Sequence, residues 1–175
     1  RLVAVHREAP MTRKREAYQS GHTPKFMVVV DDTPECDRAI VFAARRAART
    51  GHRLQMLAVI EPKIGDGQAL FGVADVMRAE AHADARAKLD AAADRAMALV
   101  GVEPELVVRE GKLAEAILSQ IEEDPDVSIL ILAAGAGKEG PGPLVSSLAR
   151  TAGSYPIPVA IVPGQLSDEE IEALA

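Results

Sequence analysis

The sequence predicts an α/β protein with a five-stranded, mainly parallel sheet that is covered by helices on both faces. Five short apolar runs alternate with longer segments whose apolar residues recur every three or four positions. The runs are apolar throughout, which is typical of parallel strands buried on both faces. Strands that alternate with helices in this way predict a three-layer α/β/α architecture.

The first half of the domain contains two predicted strands and two predicted helices. Residues 26–30 form an apolar, β-branched run, and a helix follows over 34–50 with a proline suited to its first turn. Gly51 ends that helix. Residues 54–60 form the second strand, and a long alanine-rich helix is predicted over 69–100, where small side chains would let it lie close to a sheet.

The second half alternates in the same way and ends in a short helix, for which Ser167 and Glu170 provide a capping box. In chain order its predicted elements are a strand at 105–109, a helix at 113–122, a strand at 127–134, a helix that begins near Ser146 and a strand at 158–162.

Composition supports one folded domain and excludes several classes of function. The chain has 175 residues, of which 48% are hydrophobic and 26% charged, with a net charge of -6. An acidic chain with only 3% aromatic residues lacks the basic face and the stacking surface of a nucleic-acid binder. No apolar run approaches the ~18 residues of a membrane span. From these features we expect no nucleic-acid or membrane partner. The single cysteine, Cys36, permits no internal disulfide, so we expect a reducing, cytoplasmic compartment.

Residues 1–24 differ from the folded domain, which we expect at 25–175. This N-terminal arm is basic and lacks apolar periodicity after Val5. Its last five residues, 20–24, are typical of a linker. The composition favours a flexible or loosely packed arm, and the alternative is a strap that docks on a partner subunit.

The loop after the fourth strand is the first candidate site, because ligands of open α/β sheets bind beyond the carboxyl ends of the strands. Its glycines allow backbone amides to approach an anion, its lysine adds positive charge, and a serine at the start of the next helix would complete a phosphate-binding end. The alternative is a mobile connector with an ordinary serine cap. The candidate residues are Gly135, Gly137, Lys138, Gly140, Ser146 and Ser147.

The loop after the first strand, with Asp31, Asp32 and Thr33, is the second candidate site. An acidic pair here suits a contact with ribose or with a metal bound to phosphate. A phospho-accepting receiver domain also needs an acid after the third strand and a lysine after the fifth, and a dehalogenase-type phosphatase needs Asp-x-Asp; neither pattern is present. The alternative is that Asp32 or Thr33 only caps the following helix.

Four stretches, in their order and spacing, resemble the universal stress protein family over about residues 25–163. They are 28–33 with Ala39, 56–60, 108–111 with Ala114 and Ile117, and 129–140 followed by Ser146-Ser147 and 158–162. The resemblance implies an adenine-nucleotide alpha-hydrolase-like, Rossmann-like fold. It also implies a homodimer that forms through the last strand, whose apolar edge carries no protecting charge. The residues of that edge are Val159, Ala160, Ile161 and Val162.

The resemblance also implies a binding site for AMP or ATP, with Mg²⁺ for the triphosphate. Asp31 would contact the ribose, the backbone of Val59 would face adenine, and the glycines and serines of the loop would hold phosphates. Two residues depart from the family pattern, since Asp32 and Ser146 stand where nucleotide-binding members carry glycine.

Three functions follow in order of preference. The first is a stress-response regulatory module that binds an adenine nucleotide without fast turnover. The second is a family member that binds no nucleotide and acts through its dimer surface and protein partners. The third is a slow ATP hydrolase, for which the sequence offers no evident general base. We therefore expect a regulatory module rather than an enzyme.

Overall fold

The computed structural model describes residues 14–62 and 72–175, in which five strands alternate with helices as the apolar pattern predicts. A short 3-10 turn, Ala152–Ser154, precedes the last strand. In chain order the elements are β1 (Lys25–Val29), α1 (Cys36–Thr50), β2 (Arg53–Ile60), α2 (Val73–Val100), β3 (Glu105–Glu110), α3 (Leu113–Glu123), β4 (Val127–Ala134), α4 (Pro143–Thr151), β5 (Val159–Pro163) and α5 (Asp168–Leu174).

The sheet has the order β3-β2-β1-β4-β5, and all four strand pairs are parallel. The chain builds β1, β2 and β3 in one direction and then returns through α3 to place β4 on the other side of β1. Strand order therefore reverses between β1 and β4, where the carboxyl ends of the two strands leave a crevice. The predicted five-stranded parallel sheet is confirmed.

Helices α1 and α2 cover one face of the sheet. The buried side of α2 is made of Ala85, Leu89, Ala92 and Ala96, so the helix lies close to its neighbours as the alanine spacing predicts. α5 packs on the outer side of α1, where Ile171 is fully buried. In residues 14–62 and 72–175, no helix is both long and apolar enough to cross a membrane.

Helices α3 and α4 cover the other face. Ile117 and Ile121 of α3 pack with Leu148 of α4 against the side chains of Met27 and Leu57. The two apolar clusters sandwich the sheet, which confirms the predicted three-layer α/β/α architecture.

A buried polar cluster joins β1, β2, β3 and α3 at the amino end of the sheet. Lys25 Nζ donates to Asp124 Oδ2 at 2.6 Å and to Glu105 Oε2 at 2.8 Å. Gln55 Nε2 donates to the same two carboxylates, at 2.9 and 3.2 Å, and Gln120 Nε2 donates to Gln55 Oε1 at 3.1 Å. Lys25, Gln55 and Gln120 are buried, so the cluster satisfies polar groups that water cannot reach.

The helix ends follow the sequence signals except at α4. Gly51 adopts a left-handed φ of 70°, and its amide donates to Ala47 O. Ser167 and Glu170 form the predicted capping box. The prediction that the fourth helix begins near Ser146 is wrong, because α4 begins at Pro143, whose fixed φ and missing amide suit a first helical position. The predicted start of the long helix, at 69, lies outside the described residues.

The described part of the N-terminal arm is packed against the domain rather than loose. Ala17 is buried, and the Glu16 amide donates to Pro125 O at 3.1 Å. Arg15 donates to Ile121 O, and Tyr18 Oη lies 3.0 Å from Nε2 of His52. The composition did not reveal these contacts, because each is made with a residue far along the chain. Residues 1–13 lie outside the described residues.

Candidate functional site

The candidate site is a narrow cleft at the carboxyl ends of β1 and β4, where strand order reverses. Asp31, Thr33 and Glu35 line it from the β1–α1 loop, and Gly142 and Pro143 line it from the entry to α4. The cleft encloses about 50 Å³. Sites for complete small ligands usually hold ~300–1,000 Å³, so a nucleotide would place only part of itself in this cleft and extend along the sheet edge.

Asp31 and Thr33 form a tight, self-bonded turn at the mouth of the cleft. Asp31 Oδ1 accepts from the Thr33 amide at 2.9 Å and from Thr33 Oγ1 at 2.6 Å. This Asx-type turn fixes the chain where it leaves the sheet. The structure therefore brings both of these sequence-predicted residues to the cleft.

Asp32 lies elsewhere. Its side chain is 77% exposed, and Oδ2 lies 2.6 Å from Lys88 Nζ of α2. It does not line the cleft, and Lys88 balances its charge. Its position therefore does not fit the contact with ribose or with a phosphate-bound metal that the sequence predicts.

The glycine-rich loop after β4 closes on itself. The Gly140 amide donates to Gly137 O at 3.1 Å, and the Gly135 amide donates to Pro141 O at 3.3 Å. Gly140 has a φ of 87°, which side chains other than glycine rarely adopt. Two of the predicted anion-binding amides are therefore used inside the loop, and Lys138 is exposed at its tip.

The two serines lie within α4 rather than at its cap. The Ser146 amide donates to Gly142 O at 3.0 Å, as in an ordinary helical turn. Ser146 and Ser147 are half-buried and do not line the cleft. Val59, near the end of β2, packs with the cluster under α3 and α4, one strand away from the cleft.

Glu35 is the cleft residue that sequence reasoning missed. A Cβ added to Gly135 would lie 3.0 Å from Glu35 Oε1, and one added to Gly142 would lie 3.8 Å from the same oxygen. The carboxylate therefore fills the space that these glycines leave. The available signal was its position, since Glu35 precedes α1 at the carboxyl end of β1.

Cys36 is a packing residue. Its Sγ accepts from the Asp31 amide at 3.4 Å and donates to Val29 O at 3.6 Å. Burial raises the pKa of this thiol to about 12. A thiol that stays protonated at neutral pH is a poor nucleophile, so Cys36 is not a candidate for nucleophilic catalysis.

A larger groove lies beside α1 and α5, away from the crevice. It encloses about 260 Å³ and is lined mainly by apolar side chains, with Arg46 as its charged residue. Size alone favours this groove, but a ligand site also needs converging polar groups. The cleft between β1 and β4 therefore remains the candidate.

Solved structures with the same fold include several universal stress proteins. UspA from Lactobacillus plantarum is 17% identical, with a TM-score of 0.66, over 79% of this chain and 97% of that chain. A universal stress protein in complex with cAMP is 24% identical, with a TM-score of 0.58, over 79% and 96%. The universal stress protein from Archaeoglobus fulgidus in complex with dAMP is 19% identical, with a TM-score of 0.53, over 79% and 97%.

The sequence comparisons define the family directly. No curated protein is significantly similar in sequence to this chain. The model of the universal stress protein family, however, matches residues 23–163, which include all five strands and the cleft. The chain therefore belongs to the universal stress protein family.

Proposed function

We propose that this protein is a regulatory module of the stress response that binds an adenine nucleotide in the cleft between β1 and β4. The observation that carries the proposal is the meeting of the Asp31–Thr33 turn with the glycine-rich loop at the point of strand reversal. Two proteins of the same fold are described in complexes with cAMP and dAMP, which supports the choice of an adenine nucleotide.

The residues present suit a nucleotide in part. The Asp31 carboxylate at the mouth of the cleft is a suitable acceptor for ribose hydroxyls, and Lys138 is an exposed positive charge on the glycine loop. Mg²⁺ would be needed only for a triphosphate, where it would bridge phosphate oxygens. Within residues 14–62 and 72–175, no group of three or more His, Cys, Asp or Glu side chains is placed to hold a metal.

The test is direct detection of the ligand. Freshly purified protein is denatured, the released small molecules are identified by mass spectrometry, and the refolded or ligand-free protein is titrated calorimetrically with cAMP, AMP and ATP, with and without Mg²⁺. The proposal expects a released adenine nucleotide or a saturable heat of binding. If neither signal is seen, and circular dichroism shows that the fold is intact, the proposal is contradicted.

Gly137→Val locates the binding site. Gly137 has open space around it, so valine is expected to leave the fold intact while obstructing the close approach of a phosphate. Gly153→Val is the matched control, since this glycine also has open space and lies beyond α4. Binding that survives in both variants would contradict a phosphate site at the loop.

The second candidate function is a homodimer that acts through protein partners. It is favoured by β5, which pairs only with β4 in the described sheet and leaves Ile161 47% exposed at the sheet edge. We propose that two copies associate through this edge, whether or not a nucleotide is bound. Lys14, an exposed basic residue of the arm, would then be available to partners.

Slow ATP hydrolysis is the third hypothesis. Release of phosphate from ATP, compared between the wild type and Gly137→Val, tests hydrolysis; equal rates in the two proteins would contradict it.

We also propose a cytoplasmic location. It is supported by the single cysteine, which is buried as a free thiol.

A further inference from the structure

We propose that Glu35 sets the ligand preference of the cleft, by disfavouring nucleotides with added phosphate charge. The inference rests on the proposed function, because it concerns which adenine nucleotide the same site accepts. It assigns a specificity role to a residue that the sequence pattern did not single out.

The position of the Glu35 side chain carries the inference. Glu35 Oε1 lies 3.0 Å from the point that a Cβ on Gly135 would occupy. Glu35 Cβ lies 2.7 Å from the point that a Cβ on Gly164 would occupy. The side chain is thus held between the loop that follows β4 and the turn that follows β5. A phosphate drawn to the glycine loop would meet this carboxylate.

The neighbouring cations are engaged with other acids. Lys88 Nζ lies 2.6 Å from Asp32, and Arg38 pairs with Asp37 and lies 2.7 Å from Asp168. Lys138 is exposed at the loop tip. The Glu35 carboxylate therefore contributes negative charge to the part of the cleft where the sequence alone predicts an anion.

Charge repulsion then orders the ligands. Each added phosphate brings more negative charge, and like charges a few ångströms apart repel strongly when water is partly excluded. A nucleotide with one phosphate in a cyclic ester adds the least charge, and ATP adds the most. We expect the wild type to prefer cAMP to AMP and AMP to ATP.

The experiment compares Glu35→Gln with the wild type by calorimetric titration of cAMP, AMP and ATP without Mg²⁺. Glutamine keeps the size of the side chain, and Glu35 makes no side-chain capping bond to α1, so the fold is expected to survive. The affinity for ATP should rise about tenfold or more, while the affinity for cAMP should change less than about threefold. Glu35→Ala, which also removes the carboxylate, should shift the preference in the same direction.

Glu103→Gln is the matched control for the loss of one negative charge. Glu103 is exposed in the turn before β3, at the amino end of the sheet and away from the cleft. In the Glu103→Gln variant, the ratio of the affinity for ATP to the affinity for cAMP should equal the ratio in the wild type. A ratio that rises as much as in Glu35→Gln would overturn a local role for Glu35.

The outcomes separate this inference from the proposed function. If the wild type binds nucleotides and neither Glu35 variant changes the ratio, the inference fails and the proposed function stands. If the wild type binds none of the three nucleotides and the Glu35 variants bind ATP, the inference is supported and nucleotide binding by the wild type is contradicted. If no variant binds any of the three nucleotides, both fail.

Discussion

Gly164 and Gly140 are glycines for different physical reasons. Gly140 needs a left-handed backbone, with a φ of 87°. Gly164 needs space, since a Cβ there would lie 2.7 Å from Ala134 O and 2.7 Å from Glu35 Cβ. The Gly164 amide also donates to Ala134 O at 2.8 Å, so the turn after β5 cannot easily move away from β4.

Replacing Gly164 by alanine is expected to destabilise the protein by about 1–3 kcal/mol, because backbone and side chain must both shift to admit one methyl group. The free energy of unfolding from urea titration measures the effect. Gly153→Ala is the control, since nothing lies within 4 Å of its Cβ position. Equal stability of the two variants would show that the Gly164 turn relaxes freely.

At the level of elements, the buried polar cluster connects the amino end of the sheet to α3. Lys25 has a side chain only 8% exposed, whereas Arg53, which also contacts Glu105, is 55% exposed. The same acid therefore meets one buried cation and one exposed cation. Removing the buried cation leaves the Asp124 carboxylate, whose side chain is only 15% exposed, without a balancing positive charge.

Lys25→Met should accordingly lower the free energy of unfolding by about 2–4 kcal/mol. Arg53→Met removes the exposed cation and should cost less than about 1 kcal/mol. Urea denaturation at neutral pH compares the two. Losses of similar size would mean that the cluster contributes no more than a surface ion pair.

The same cluster predicts a loss of stability in acid. Burial alone would raise the pKa of Asp124, but hydrogen bonds from Lys25 and from the Asp126 amide outweigh it and hold the pKa below 3.8. A folded-state pKa below the unfolded value stabilises the protein above about pH 4, and this contribution disappears as the pH falls through the folded value. The urea concentration at the unfolding midpoint should therefore decrease when the pH is lowered below about 4.

Asp124→Asn should have a lower midpoint at neutral pH and a shallower fall in acid, because that carboxylate no longer titrates. Asp37 also has a lowered pKa and titrates in both proteins, so the fall should not vanish. Asp90→Asn, at an exposed position of α2, should keep the wild-type slope. An unchanged slope in Asp124→Asn would contradict the role given to Asp124.

The elements themselves could be predicted from sequence because their signals are local. The apolar run at 127–134 gives the bounds of β4, and Gly51 gives the end of α1. The start of α4 was missed because two local signals compete there, a serine suited to a cap and Pro143 suited to a first turn. The helix follows the proline.

The location of the candidate site could be predicted from sequence, but the directions of its acidic side chains could not. Placing Asp31 and the glycine loop together needs only the rule for parallel sheets. The directions of Asp32 and Glu35 depend on tertiary contacts, since Asp32 meets Lys88, 56 residues away, and Glu35 meets Gly135 and Gly164. The sequence therefore did not reveal which acid of the loop lies against these glycines.

At the scale of the whole molecule, the sheet has two edges of different character. β3 carries Glu105, Arg109 and Glu110, and charges of this kind protect an edge strand from pairing. β5 carries none, and Ile161 on it is half exposed. We therefore expect association through β5 rather than through β3.

If the proposed dimer forms, Ile161→Lys should convert it to a monomer at micromolar concentration, because each copy would bring a charged side chain to the shared apolar edge. Sedimentation velocity measures the mass. Met97→Lys is the matched control, since Met97 is 45% exposed on α2 and away from the edge. A wild type that is already monomeric, or an Ile161→Lys protein that stays dimeric, would contradict association through β5.

The burial of Cys36 makes the protein a convenient subject for fluorescent labelling. With its thiol pKa near 12, Cys36 offers almost no thiolate to a maleimide dye at neutral pH. Since the chain has no other cysteine, Glu139→Cys would give a single reactive attachment point on the glycine loop, where Glu139 is exposed. Loop movement on addition of a nucleotide could then be followed without removing the native cysteine.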